Sequence, residues 1–236
     1  MLRRIIKFGT THSNWNRPIA DTLRITAREF ASASSRRKST SAKALDTAQH
    51  SDLASFLAYA KRTGLDETST TFTGTRYEYL VAERLARYGF SLKRVGGASD
   101  FGIDLLGEWT IPSTSKTLRV LVQCKAGSRT EPRFVRELEG TFVGAPPGWR
   151  GSGVLGLLVA EKQATGGVRE ALTRSRSPMA YFCCTRDGRM KQMQWNQRAE
   201  EEGLEGIDVG LRRCAGGEEE NEVVLMKNGR PLPIIG

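Results

Sequence analysis

Seven consecutive apolar residues, Val154-Leu-Gly-Leu-Leu-Val-Ala160, constrain this chain more than any other feature. A strand with no polar side is buried on both faces, and the arrangement that achieves this is a sheet with helices on each side. The neighbouring residues supply the rest of such a domain. Upstream, Tyr77, Leu80, Val81, Leu85 and Tyr88 recur at helical spacing, and Gly89 ends the pattern. Thr75-Arg-Tyr-Glu78 reads as a capping box that opens this helix, Thr75 accepting from the N3 amide and Glu78 reaching back to the Thr75 N–H. Strand patterns follow at 90–95, 103–109 and 117–125, the last rich in β-branched residues. Then come a helix at 133–142, the apolar strand at 154–161, a helix at 167–175, and strands at 179–185 and 190–195. The order α-β-β-β-α-β-α-β-β describes an α/β fold with a mixed sheet flanked by helices.

Outside this core, Leu45, Leu53, Phe56, Leu57 and Ala60 recur at helical spacing up to Gly64, and Asp66 to Gly74 reads as a polar connector. Gly216-Gly217-Glu-Glu-Glu220 reads as a solvated linker before a short strand at 223–226. The organisation expected is therefore a leader at 1–43, a helix and connector at 44–72, the α/β domain at 73–213 and a tail at 214–236.

The formal charge of +10 is unevenly spread. The first 45 residues hold ten of the 36 Lys and Arg and two of the 26 Asp and Glu, Asp21 and Glu29, which is +8; the other 26 basic and 24 acidic groups leave +2. Net charge thus says little about the partner of the folded body. Within the leader, Leu2, Ile5 and Ile6 share one helical side with Arg3, Arg4 and Lys7 off it, and Ala31 to Ser41 is low in complexity. This is the pattern of a mitochondrial transit peptide, and a matrix location is expected from it. A basic disordered arm touching nucleic acid or acidic lipid is the competing reading.

Several chemistries are excluded. No stretch approaches the roughly 18 apolar residues of a membrane span. Four cysteines, two of them adjacent at 183 and 184, make no disulfide framework or C-x-x-C pair. Both histidines, His12 and His50, precede the core, which removes a histidine zinc site and a Ser-His-Asp triad.

The hairpin of the second and third strands carries the remaining candidate. Leu121, Gln123 and Lys125 share one strand face while Val120, Val122 and Cys124 share the other. A turn centred between Ser113 and Thr114 sets Asp104 across from Gln123, so Asp104, Gln123 and Lys125 converge at one end of a strand pair. Mg²⁺ prefers hard oxygen ligands, which the Asp104 carboxylate, the Gln123 amide oxygen and the Cys124 backbone carbonyl supply; Mn²⁺ is the alternative ion. Such an ion stabilises charge on a phosphoryl oxygen and acidifies a bound water. Lys125 is placed to orient that water or to stabilise developing negative charge. The Cys124 thiol is expected in the core, Asp100 in a turn, and Gly96-Gly97 in a turn rather than a phosphate loop. Arg129, Arg133 and Arg136 are candidates for contacts to backbone phosphates, with a solvated helix face as the competing explanation.

Gly96-Gly97-Ala-Ser-Asp-Phe-Gly-Ile-Asp104 followed by Val-Gln-Cys-Lys125 resembles the PD-(D/E)xK restriction-endonuclease-like superfamily, in the D…QxK form of its Mrr-like branch. That branch places a glutamate on the preceding helix, which Glu78 matches. Leader and core together resemble the fungal mitochondrial proteins required for respiratory growth that carry such a domain. The resemblance covers about Thr73 to Lys125. It implies a restriction-endonuclease-like fold, a catalytic set of Glu78, Asp104, Gln123 and Lys125, and a nucleic-acid partner, DNA or RNA, with a homodimer left open. Gln123 in place of an acid leaves one negative charge fewer for the metal. Two functions follow: a Mg²⁺-dependent phosphodiesterase, or an inactive nuclease fold kept as a nucleic-acid-binding or assembly factor in mitochondrial gene expression.

Overall fold

The computed structural model describes residues 50–95, 102–127, 129–213 and 221–235. The expected leader, His12, Asp100, the Gly96-Gly97 turn and Cys214 lie outside the described residues.

Helix α1, Leu53–Thr63, is capped by Asp52 and Ser55 at its start and by left-handed Gly64 at its end. Helix α2 spans Thr70–Ala86 with Ser69 as N-cap, its hydroxyl accepting from Phe72 N–H at 3.1 Å. The capping box read at Thr75 and Glu78 is thereby corrected, because both residues lie inside the helix. The helix gains an earlier turn because Phe72 packs with Phe56, Ala60 and Tyr79, where burial outweighs the poor propensity of a Thr-rich stretch.

The main sheet has the order β1-β2-β3-β4-β5-β6. Its strands are Phe90–Arg94, Leu105–Thr110, Thr117–Lys125, Val154–Ala160, Met179–Cys184 and Met190–Trp195. Strands β3, β4 and β5 run parallel, and the flanking pairs are antiparallel. Helices α3, Pro132–Gly144, and α4, Gly166–Arg174, provide the crossovers that parallel pairing requires. This is the α/β order read from the sequence. The apolar strand β4 is buried at all seven residues.

Beyond it, Gln197–Ala199 runs into a π-helical turn and then into a second sheet of β7, Ile207–Arg213, β8, Asn221–Lys227, and β9, Arg230–Pro231. The sequence reading has no strand at β7 and ends the domain at 213. Val223 and Leu225 of β8 join the same core cluster as Leu155, Phe182 and Met193, so the packed body continues past that boundary.

Helix α2 and the small sheet cover one face of the main sheet, while α3 and α4 cover the other. Three tethers tie α2 and the turn that ends it to late elements. Tyr77 OH donates to Cys184 O at 2.7 Å, Tyr88 OH donates to Val223 O at 2.9 Å, and Ile235 N–H donates to Arg87 O at 2.8 Å.

Leu121 and Val122 are both fully buried on opposite faces of β3. Leu121→Ala and Val122→Ala are each expected to lower stability by about 1–4 kcal/mol, read as a shift of the urea midpoint. An unmoved midpoint in both would remove β3 from the core. Burial also raises the Cys183 thiol to about 11 and the Cys184 thiol to about 12. Both are expected to resist alkylation by iodoacetamide at neutral pH and to react once the chain is unfolded, as followed by mass spectrometry.

Candidate functional site

The β2–β3 ladder runs from Thr110↔Thr117 to Leu105↔Val122, which centres the hairpin between Ser113 and Thr114 as read. One step further, Asp104 leaves the ladder. Its N–H donates to Val122 O at 2.9 Å, and its Oδ2 accepts from Cys124 N–H at 2.6 Å. Asp104 O accepts from Val95 N–H at 2.8 Å. Strand β3 outruns β2 here, so the carboxylate takes the amide that a further residue of β2 would have bonded. A charge-assisted bond of this kind fixes the carboxylate beside the Gln123-Cys124-Lys125 strand end.

Gln123 is almost fully buried, and its Oε1 makes no hydrogen bond among the described residues. Its amide lies under Gly102, where φ is 78° and a Cβ would stand 3.1 Å from Gln123 Nε2 and 3.5 Å from Thr141 Cγ2. Glycine therefore serves twice, in allowing left-handed backbone and in letting the loop close over the amide. An unpaired buried acceptor costs free energy of order 1–3 kcal/mol, which a cation ligand or a water would offset.

Lys125 lies on the same strand face and extends toward α3, where Nζ is 3.0 Å from Glu137 Oε2 and 4.7 Å from the centre of the Phe134 ring. Glu78 belongs to the other side of the sheet. Its carboxylate accepts from Arg94 Nε, and Arg94 Nη2 lies 3.4 Å from Thr75 Oγ1. The Cys124 thiol packs against the core on that same side, and burial pushes it well above the usual thiol range, with the Asp104 and Glu78 charges adding to the shift. Asp104 thus sits in the seam, with Gln123 and Lys125 toward α3 and Glu78 toward α2.

A cleft of about 560 Å³ opens at this end of β3, with Thr73, Lys125, Arg129, Arg133, Phe134 and Arg186 in its lining. Asp104, Gln123 and Arg136 are not among its lining residues. Arg186, held 2.7 Å from the buried Glu161, is an addition that no local pattern in the sequence marks. Glu137 is another: on an exposed helix face it looks like any solvated acid until the sheet brings Lys125 to it.

These features define a mixed α/β protein with a carboxylate, a buried amide and a lysine gathered at adjacent strand ends beside a basic cleft. The profile of the family described as Required for respiratory growth protein 7 matches residues 69–118 and 110–210, more than half of the chain, and the chain belongs to that family. An uncharacterised mitochondrial protein of Schizosaccharomyces pombe is 34% identical over 155 residues, covering 64% of this chain and 61% of that protein. The Required for respiratory growth protein 7 of Vanderwaltozyma polyspora is 31% identical over 119 residues, covering 32% and 48%. That of Saccharomyces cerevisiae is 30% identical over 128 residues, covering 36% and 53%. The chain thus spans between about half and three fifths of these relatives' lengths. No solved structure matches it. Its relatives are mitochondrial proteins and so is this chain, within a family required for respiratory growth. No helix among the described residues is long and apolar enough to cross a membrane.

Proposed function

We propose that this mitochondrial protein is a Mg²⁺-dependent nuclease of the restriction-endonuclease-like superfamily, hydrolysing phosphodiester bonds of DNA or RNA in support of mitochondrial genome maintenance or expression. The observation that carries the reading is the Asp104 carboxylate, fixed 2.6 Å from Cys124 N at the strand end where Gln123 holds a buried amide oxygen without a hydrogen-bond partner. Asp104, Gln123 Oε1 and the Cys124 carbonyl form an all-oxygen donor set that suits Mg²⁺ or Mn²⁺, waters completing the shell. When bound, the ion supplies charge for a phosphoryl oxygen and lowers the pKa of a coordinated water.

The chain's own residues do the rest. The Cys124 N–H holds Asp104 in place, so its carboxylate needs no reorganisation to receive a cation. Lys125 is a donor only and cannot ligate the metal; its ammonium serves a phosphate oxygen or the attacking water. Glu137 and Phe134 hold that ammonium until substrate enters. Arg129, Arg133 and Arg186 offer contacts to the phosphates of the strand lying in the cleft.

A second reading keeps the fold as a nucleic-acid-binding or assembly factor without catalysis. The Glu78–Arg94 and Lys125–Glu137 pairs favour it, because both site charges are already met from within the protein. Titration of Mg²⁺ and Mn²⁺ against labelled DNA and RNA separates the two, with wild type beside Asp104→Ala. Metal-dependent cleavage that Asp104→Ala loses supports the nuclease. Binding without cleavage at any metal concentration supports the second reading.

A further inference from the structure

We infer that the outer edge of β7 is a dimer interface, on which two copies of this chain pair antiparallel about Gly210. Among the described residues β7 is an edge strand, since its sheet runs β7-β8-β9 and only β8 pairs with it. Seven residues long, it has no proline or lysine, its charges are Asp208, Arg212 and Arg213, and an unpaired edge of this length is a template for another strand. On the side that continues the core layer, its exposed side chains are apolar. Leu211 is 65% and Val209 37% exposed. Their ladder partners Val223 and Leu225 are core residues, so Val209 and Leu211 prolong the core layer beyond its covered part.

The sequence of β7 fits a second copy of itself. A two-fold axis normal to a sheet preserves its faces, and opposing residues of a ladder share a face, so the axis has to pass midway between one residue and its own copy. With the axis at Gly210, all seven residues pair. Val209 then opposes Leu211 of the second copy, twice, on the core side. Asp208 opposes Arg212, twice, on the outer side. Opposite charges and apolar pairs directly across a ladder are the favourable cross-strand combinations. Asp208 is exposed, and Arg212 lies 2.6 Å from Glu222 of its own chain; a guanidinium, with five N–H donors, can serve more than one carboxylate. Facing its own copy across the axis, Gly210 carries no side chain, and Met226 and Val224 occupy the space a Cβ there would need, Met226 Sδ at 2.5 Å. Both copies use the same edge, so the pairing closes at two and yields one continuous six-stranded sheet.

Charge exchange tests the register. Sedimentation equilibrium of the full-length chain at tens of micromolar is expected to give twice the 26.1 kDa monomer mass. Asp208→Arg sets like charges against Arg212, and Arg212→Asp sets them against Asp208; each alone is expected to be monomeric with an unchanged far-ultraviolet spectrum. An equimolar mixture of the two variants is expected to recover the dimer, because each copy then faces opposite charges. Should either variant fold poorly, Leu211→Ser, which leaves the charges intact, is expected to weaken the dimer at least tenfold. A monomeric wild type, or variants that dimerise as wild type does, would overturn the proposal.

Discussion

Lys125→Ala is expected to slow metal-dependent cleavage by roughly 10²- to 10³-fold while leaving the melting temperature and Mg²⁺ affinity nearly unchanged. The ammonium is a donor and takes no part in holding the cation, so its loss falls on the chemical step. The fold does not depend on it: the pair with Glu137 is partly exposed on both sides, and surface pairs contribute about 0–1 kcal/mol. Asp104→Asn is expected to behave differently. It replaces the one anionic oxygen of the proposed donor set with a neutral amide and weakens the charge-assisted bond from Cys124, so the metal titration is expected to shift to higher concentration. Single-turnover cleavage with a metal titration on both variants separates the two effects. Wild-type rates in Lys125→Ala would remove the lysine from the proposed mechanism.

The largest expected loss of stability follows from Trp109→Ala, about 3–5 kcal/mol of the 5–15 kcal/mol by which domains are usually stable. Trp109 is fully buried, stacks on Phe90 at 4.5 Å between centroids and meets Phe182 edge-on at 6.3 Å. Its Nε1 also donates to Tyr88 O at 2.9 Å. Trp109→Phe keeps most of the packing but leaves that carbonyl unpaired, with an expected cost of about 1–3 kcal/mol. Urea denaturation of the two variants orders them, and equal midpoints would refute the stacking account.

Much of the architecture was legible because local pattern and tertiary role agree. Strand β4 is apolar throughout and buried throughout, and the apolar centre of β3, Val120 to Val122, is buried on both faces as a central strand must be. The hairpin register followed from centring its single turn between Ser113 and Thr114. Strand β7 was not legible: Ile-Asp-Val-Gly-Leu-Arg-Arg has glycine at its centre and charges on one side, and it is made a strand by pairing with β8 further along the chain. The early start of α2 was hidden because threonine and serine argue for a connector until Phe72 finds Phe56 and Tyr79. At the site, residue order placed Asp104, Gln123 and Lys125 at one strand end. It did not place Glu78 across the sheet from Gln123 and Lys125, since that depends on which face α2 covers. Nor does any sequence pattern report the missing partner of the Gln123 oxygen, which arises from how Gly102 closes over it.

The three tethers on α2 and its closing turn also set a timetable for folding. Tyr77 and Tyr88 reach acceptors 107 and 135 residues further along the chain, and Arg87 waits for Ile235. Contacts this distant are slow to form, since long stretches must be ordered before they close. A chain delivered from its N-terminus, by a ribosome or through a membrane pore, would present α2 and the β2–β3 hairpin well before the strands that anchor them. Such a nascent domain carries exposed apolar surface until β8 arrives with Val223 and Leu225, so its protection from aggregation comes with the last strands rather than the first.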